Sequence, residues 1–274
     1  MKNKLKGYFN ETIKTLNRKE MAFLPASMAY YIVLAIIPIF TILVLIASKF
    51  SLSIDSVNNL IRDLLPMQVA DVVVDTISGK GFDTNIGIFV VFAFIFASNG
   101  TYSIIVASNT LYKVKKTDVI KNRVKSFVLL LIIIILFLFL LIIPIFGDNI
   151  LTLIKNANLM NNNTIVNDII IIFNIIKWPI TFIIIYFNIK LIYTIAPNKN
   201  IKSKDTTYGA LFTTLLWVIA TLIFKFYLKY FARYDILYGN LSSIIISMIW
   251  LYLLSYIFVF GMALNANKIE LEDE

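Results

Sequence analysis

The sequence predicts an all-α integral membrane protein with six transmembrane helices and amphipathic surface helices. Of its 274 residues, 59% are hydrophobic and only 15% are charged. An average soluble domain carries about 25% charged residues, so most of this chain is suited to lipid rather than water. The apolar residues are also grouped into long stretches that carry almost no charge, as transmembrane helices require.

Six of these stretches are long enough to cross the hydrocarbon core, which takes about 20 helical residues. The predicted spans lie within a transmembrane domain at 21–268 and run over residues 22–48, 85–112, 126–147, 166–190, 206–228 and 240–266. Residues 1–20 repeat apolar side chains at helical spacing among lysines, which predicts an amphipathic helix on the inner leaflet. Residues 269–274 form a predicted acidic cytoplasmic tail.

Lysine and arginine are unevenly divided among the connections between the spans. Alternate connections hold many of them, namely six in 2–19, six in 113–125 and four in 190–204. The other connections hold three, one and three. Because basic residues in short loops favour the cytoplasmic side, we predict that both termini lie in the cytoplasm. The net charge of +9 is then a topology signal that attracts anionic headgroups, and nucleic acid is not an expected partner.

The residue types that usually carry catalysis are missing. The chain has no histidine and no cysteine, which removes the commonest general base, the commonest metal ligand and any thiolate nucleophile. Glycine-rich phosphate loops and paired carboxylates are missing too. We therefore expect no metal, no cofactor and no enzymatic activity.

Four segments combine small, polar and aromatic residues in a distinctive order: ASMAYYIVLAIIPIF, FASNGTYSIIVASNTLYKVKKTDVIKNRVKSF, KWP followed by LIYTIAPNKN, and YGALFTTLLWVIATLIFKFYLKYFARYDILYGNLSSIIISMIWLYLLSYIFVFGMALNA. They resemble the YihY/BrkB family of bacterial inner-membrane proteins over about residues 20–268. The resemblance implies six transmembrane helices and an envelope location. Some family members carry an older label as ribonuclease BN, and others are linked to envelope integrity, serum resistance or lipid export. The ribonuclease label fits this chain badly, because a metal-dependent nuclease needs histidine or clustered carboxylates.

Lys177 interrupts the fourth span and is the residue on which the functional prediction depends. It lies about 11 residues from either end of that span, so about 16 Å from each surface, farther than its side chain reaches. Pro179 leaves the carbonyl of Ile175 without its helical donor. Four polar residues share the helical face of Lys177 to within about 80°: Asn167, Asn174, Thr181 and Asn188.

Other spans offer polar partners. The second is polar most of the way round, which predicts a central position in the bundle, and in the sixth Gly261 permits close approach of another backbone. The predicted substrate-binding residues are Lys177, Asn174, Thr181, Asn188, Asn99, Asn109 and Ser247.

Two interpretations of these residues stay open. In the first, the polar side chains bond across helices, at about 0.6 kcal/mol each, and carbonyls and amides hold Lys177. In the second, they line a hydrated cavity, and Lys177 presents its charge to an anionic headgroup, because an unpaired buried lysine lowers its pKa or finds an anion. The second predicts a transporter or flippase of an anionic lipid or amphiphile. The alternative is a non-transporting scaffold for envelope integrity. A homo-oligomer is compatible with both.

Overall fold

The structure is a computed structural model that describes residues 16–49, 86–115, 117–136, 163–231 and 233–273, together with nine residues between 58 and 74. Only the backbone is described for residues 36–37, 40–49, 86–90, 163–170, 172–174, 177, 240 and 271–273. The predicted amphipathic helix at 1–20 therefore lies almost wholly outside the described residues.

Six long helices make up the described part of the chain. They are α1 (Glu20–Lys49), α2 (Ile86–Leu111), α3 (residues 119–136), α4 (Asn163–Ile195), α5 (Thr207–Tyr230) and α6 (Ser242–Asp273). A one-turn helix, Tyr234–Tyr238, and a 3₁₀ turn, Gly239–Leu241, join α5 to α6. The residues in these ranges include no strand, so the predicted all-α class is confirmed for them.

Four of the helices have the length and apolar composition of a membrane span. These stretches are Val91–Leu111, Trp178–Ile195, Thr207–Tyr230 and Ser242–Glu270. They coincide with the second, fourth, fifth and sixth predicted spans. The first and third spans remain predictions. In α1, the apolar stretch with described side chains covers only Glu20–Ala35, and α3 is described only as far as residue 136. Residues 269–273 of the predicted tail continue α6 as helix.

α6 and α2 are the most enclosed helices. α6 contacts α5, α1 and α2, and α2 packs along α1. About half of the apolar stretch of each is buried, whereas α4 and α5 bury 17% of theirs. The central position predicted for α2 agrees with this packing. The outer surfaces of α4 and α5 carry exposed apolar side chains, as expected for helices that face lipid: Ile171, Ile175, Trp178, Leu222, Ile223 and Phe226.

α5 and α6 touch through their backbones at Gly209 and Gly261. A Cβ atom built on Gly209 would lie 2.2 Å from the carbonyl oxygen of Gly261, which no side chain could tolerate. Asn265, fully buried on α6, accepts the Gly209 N–H at 2.8 Å and donates to the Thr206 carbonyl at 3.3 Å. Gly209 is in the first turn of α5, where Thr206 provides no side-chain cap. The Asn265 side chain of α6 therefore caps α5, because it accepts a hydrogen bond from a backbone N–H that has no partner within the first turn of α5.

Tyr193 links α4 to α5 and α6 through hydrogen bonds. Its buried hydroxyl donates to the Phe258 carbonyl at 2.6 Å and shares a 2.7 Å hydrogen bond with Thr213. The Phe258 ring contacts both the Tyr193 ring, with centroids 4.8 Å apart, and the Trp217 ring, at 6.0 Å. Trp217 donates its indole N–H to the Leu254 carbonyl at 2.9 Å. These contacts place three helices around one aromatic core.

The four segments predicted to be cytoplasmic meet at one end of the bundle. Glu270, near the end of α6, is ion-paired with Arg18 ahead of α1 and with Lys113 after α2. At the same end, Lys125 near the start of α3 bonds to Asn198 in the α4–α5 connection. This arrangement agrees with the alternation of basic residues in the sequence.

Lys113 makes its contact with Glu270 because α2 ends in a sharp turn. Lys113 has a φ of 52°, its N–H donates to the Thr110 carbonyl at 3.2 Å, and the Val114 N–H donates to the Asn109 carbonyl at 2.9 Å. This is the Schellman motif, with lysine at the left-handed position where glycine is usual.

Candidate functional site

Lys177 lies deep within an unbroken helix. It is the fifteenth of the 33 residues of α4, about 21 Å from the first and about 27 Å from the last at 1.5 Å per residue. The helix continues through Pro179 without interruption. The neighbouring side chains of Ile175 and Trp178 are each 64% exposed, so the described helices leave this part of α4 largely uncovered. The side chains of Lys177 and Asn174 lie outside the described part of the structure.

The other predicted residues of α4 are half-buried. Thr181 lies one turn after Lys177, and Asn188 lies about two turns farther along. Asn188 donates its side-chain N–H to the Ile184 carbonyl of its own helix at 2.9 Å.

Asn99 faces α3. Its side-chain oxygen accepts a hydrogen bond from the Arg123 guanidinium at 2.8 Å. The same guanidinium lies over the Tyr102 ring at 5.7 Å and the Phe127 ring at 5.5 Å, within cation–π range. Sequence reasoning assigned Arg123 only to the topology signal. The i, i+3 spacing of Asn99 and Tyr102, an amide beside an aromatic ring, is the pattern that could have indicated a bound cation.

Asn109 belongs to a second polar group, which we call the asparagine–lysine cluster: Asn109, Asn122, Lys125 and Asn198. The Asn109 side-chain oxygen accepts the backbone N–H of Asn198 at 2.7 Å. The Asn198 side chain in turn donates to Asn122 and accepts from the Lys125 amine, the latter at 2.8 Å. Lys125 also donates to the Pro197 carbonyl at 2.7 Å. The cluster ties the end of α2 and the start of α3 to the α4–α5 connection, and sequence reasoning found only its first member.

The cluster is an electrostatically unusual environment. Burial, together with the nearby charge of Lys121, lowers the pKa of Lys125 to about 8. Within the part of the chain that the structure describes, the Asn109 side-chain N–H₂ and the Tyr112 hydroxyl are buried without a hydrogen-bond partner.

The lowered pKa of Lys125 predicts an amine that reacts at lower pH than an ordinary lysine. Its acylation rate in the folded protein should reach half of its maximum near pH 8, against 10.5 for the unperturbed group. Between pH 8 and pH 10.5, Lys125 binds more protons in the unfolded protein than in the folded protein. The free energy of unfolding should therefore increase as the pH rises through this range. Peptide mass spectrometry after brief acylation from pH 7 to 11 measures the profile. Denatured protein is the control, and identical profiles in the two states would contradict the prediction.

Most of the small polar residues whose side chains are described in the spans bond within their own helix. The buried Ser247, predicted as a site residue, donates to the Ser243 carbonyl at 2.7 Å. On α2, three buried serines donate to the carbonyl three residues earlier: Ser98, Ser103 and Ser108. The Thr101 hydroxyl lies within bonding distance of two carbonyls, that of Ser98 in its own helix at 2.9 Å and that of Ser126 in α3 at 2.8 Å. The bonds between spans are made largely by residues outside the predicted set, chiefly Tyr193, Trp217 and Asn265.

The described contacts thus divide the predicted residues among three places. Thr181 and Asn188 lie on α4 with Lys177, Asn99 and Asn109 contact α3 and the α4–α5 connection, and Ser247 lies on α6. Across the described ranges, no three acidic, histidine or cysteine residues lie close enough together to hold a metal ion.

A family model described as Virulence factor BrkB matches residues 12–273. The chain belongs to the BrkB family. Among the relatives of this BrkB-family chain is the ribonuclease-like protein YfkH of Bacillus subtilis, which is 28% identical over 247 residues, 88% of this chain and 87% of YfkH. A UPF0761 membrane protein of Coxiella burnetii is 30% identical over 101 residues, covering 34% of this chain and 36% of its own length. One from Haemophilus influenzae is 26% identical over 95 residues, or 35% of each chain. No solved structure matches.

Membership of the BrkB family confirms the resemblance seen in the sequence. The membrane location is supported by the names of the relatives and by the four apolar helices. The ribonuclease-like name belongs to the Bacillus subtilis protein. The inner membrane and the cytoplasmic placement of the termini remain predictions.

Proposed function

We propose that this BrkB-family protein is a transporter or flippase of an anionic lipid or amphiphile, in the bacterial inner membrane, and that Lys177 receives the anionic headgroup. The observation that carries the proposal is the position of Lys177, midway along the unbroken, apolar helix α4. Trp178 beside it is 64% exposed, so this part of α4 borders the surrounding lipid, from which an amphiphilic substrate would come.

The charge of Lys177 needs an anion at that depth. A lysine at the centre of a bilayer costs about 2.5–3.5 kcal/mol on insertion scales. From residue 169 to the end of α4 the sequence contains no acid that could pair with it. The phosphate of a lipid would supply the missing charge and accept hydrogen bonds from the amine.

Asn188 supports the proposal in a second way. Its side chain donates to the Ile184 carbonyl of its own helix rather than to a neighbouring helix. The amide of Asn188 has a further N–H and an acceptor oxygen that this bond does not use. Such groups suit a polar path along α4 better than they suit a role in joining helices.

The proposed activity moves a lipid or amphiphile across the bilayer without making or breaking a covalent bond. The sequence has no phosphate-binding loop for ATP, so a gradient, a partner protein or simple equilibration across the bilayer would drive it. In the competing interpretation, an envelope scaffold, water would not reach Lys177.

Cysteine accessibility tests this difference, since the chain has no cysteine of its own. Asn174→Cys and Thr181→Cys, each with Lys177 intact, should react with a charged, membrane-impermeant thiol reagent from one side of the membrane. Ile175→Cys is the matched control, because this exposed residue of the same helix should face lipid and stay unlabelled. Ser203→Cys, in the α4–α5 connection, reports that the reagent has reached its side. If both test sites stay unlabelled from both sides while Ser203→Cys reacts, the cavity proposal fails.

We expect Lys177→Met to slow transport of phosphatidylglycerol in proteoliposomes by about 10- to 100-fold. A hydrogen bond to a charged group contributes about 1.5–3 kcal/mol, and each 1.4 kcal/mol is a factor of ten. Transbilayer movement of a fluorescent phosphatidylglycerol, followed by quenching from outside, measures the rate. Lys190→Met is the control, because this half-buried lysine lies near the end of α4 with its amine 5.8 Å from the Tyr186 ring. Wild-type rates in Lys177→Met, or none in the wild type, would favour the scaffold.

A further inference from the structure

The end of α5 and its connection to α6 form a surface that the transport proposal does not use. We call residues 225–241 the α5–α6 tip. It lies at the far end of α5 from the Gly209–Asn265 contact, and therefore opposite the ion pairs of Glu270. The tip combines basic, aromatic and aliphatic side chains.

The tip holds three basic residues within nine positions of the chain. Lys225 and Lys229 are one turn apart on the same face of α5, and Arg233 immediately precedes the one-turn helix. The Lys229 amine lies 5.1 Å from the Tyr230 ring centroid. Asp235 is the single acid between residues 206 and 269 of the sequence, so the tip carries an excess of two positive charges.

Apolar side chains of the tip are also exposed. On the one-turn helix, Ile236 is 68% exposed and Leu237 is 77% exposed. Five aromatic residues are also exposed on the tip: Phe226, Tyr227, Tyr230, Phe231 and Tyr238. Several of their rings are in contact, the nearest pair being Phe226 and Tyr230 with centroids 4.7 Å apart. Aromatic rings beside basic residues are typical of the zone where a membrane meets water.

The position of the tip along the chain identifies what covers it. α5 is an apolar span over Thr207–Tyr230, and α6 begins a second one at Ser242. Residues 231–241 therefore lie where the chain leaves the hydrocarbon and turns back into it. A short helix with a strongly apolar side lies in the plane of such an interface. Lysine and arginine at this depth are each attracted to anionic headgroups by about 1 kcal/mol.

We propose that the α5–α6 tip binds the phosphates of anionic lipids in the leaflet on its own side of the membrane. Lys225, Lys229 and Arg233 contact the phosphate, while Ile236 and Leu237 insert between the acyl chains. This surface does not depend on transport, since it uses none of the residues around Lys177.

Native mass spectrometry of the full-length protein in neutral detergent tests whether the three basic residues of the tip bind lipid phosphate. Phosphatidylglycerol and phosphatidylcholine are added in turn, and the bound lipids are counted for wild type, for Lys225→Gln/Lys229→Gln/Arg233→Gln, and for the matched control Lys199→Gln/Lys202→Gln/Lys204→Gln. The control removes the same charge from the connection at the other end of α5. We expect about tenfold weaker retention of phosphatidylglycerol in the tip variant alone, with phosphatidylcholine unchanged. Wild-type retention in the tip variant, or an equal loss in both variants, would overturn the proposal.

A fluorescent probe tests whether the apolar side chains of the tip insert between the acyl chains. An environment-sensitive dye on Leu237→Cys, in nanodiscs that hold one copy, should emit as in an apolar medium and be quenched by lipid-attached quenchers. The same dye on Asp235→Cys, two residues away and on the other side of the one-turn helix, should emit as in water. Water-like emission from Leu237→Cys, or an apolar shift that needs a second copy of the chain, would exclude lipid as the occupant. Because Lys177→Met leaves the tip intact, it should retain phosphatidylglycerol there, which keeps failure of this proposal distinct from failure of transport.

Discussion

Gly261→Ala is expected to lower the free energy of unfolding by about 3 kcal/mol, at the upper end of the range for overpacked cores. The added methyl group would lie 2.0 Å from the Thr213 hydroxyl oxygen, 2.8 Å from the Tyr193 hydroxyl and 2.9 Å from the Gly209 carbonyl oxygen. α5 would have to move away from α6 and break the hydrogen bonds of Tyr193. Thermal unfolding in detergent, read by the loss of the monodisperse peak in size-exclusion chromatography, measures the change.

Gly100→Ala is the matched control, because it adds the same atom to another helix contact. There the new methyl would lie 3.1 Å from the Cβ of Ala35, with the next nearest atom, the Tyr31 carbonyl oxygen, at 3.7 Å. The neighbour needs to shift by only a few tenths of an ångström, and alanine is favoured over glycine in a helix by about 1 kcal/mol. We expect a near-neutral result. Equal destabilisation by the two substitutions would show that the α5–α6 contact is not specially close.

Asn265→Leu should destabilise the protein by about 2 kcal/mol. The leucine side chain is similar in volume but cannot accept the Gly209 N–H, which would then be buried without a partner at the start of α5. A buried donor left unsatisfied costs about 1–3 kcal/mol. Besides a lower unfolding temperature, amide hydrogen exchange should accelerate in the first turn of α5.

Asn188→Leu serves as its control. Asn188 is half-buried, and its described bond is to a carbonyl of its own helix. A substitution there should change stability by less than about 0.5 kcal/mol. If Asn265→Leu were as stable as wild type, the cap seen at Gly209 would be energetically unimportant. If Asn188→Leu kept its stability but lost transport, the role of Asn188 on the polar face of α4 would be functional.

The positions of the helices follow from the sequence because apolar length is a local property. The second span was predicted at residues 85–112, and α2 occupies Ile86–Leu111. The fourth was predicted at 166–190, and α4 runs over Asn163–Ile195 because polar side chains at both of its ends are still compatible with helix. The close approach at Gly261 was also predictable, since a glycine on a polar helix face indicates where another backbone fits.

The partners of the polar residues could not be predicted in the same way. Helical spacing identifies the face on which Asn99 or Asn109 lies, but it does not tell which helix stands opposite that face. Asn109 accepts a hydrogen bond from the backbone N–H of Asn198, 89 positions away. A pattern of side chains in the sequence does not predict which backbone N–H will be the donor. Lys125 gained its lowered pKa from burial beside a connection 73 positions away.

Composition and apolar length thus determined the class of the protein and the positions of its described long helices, and four sequence segments carried the resemblance to its family. Each of these depends on residues that are near one another in the chain. The role of Lys177 stays a prediction. The tertiary structure alone decided that Asn265 caps α5, that Arg123 contacts Asn99, and that Asn198 joins α2 to α3. Those contacts depend on how helices distant in sequence are placed side by side. Helix periodicity carries no information about that placement.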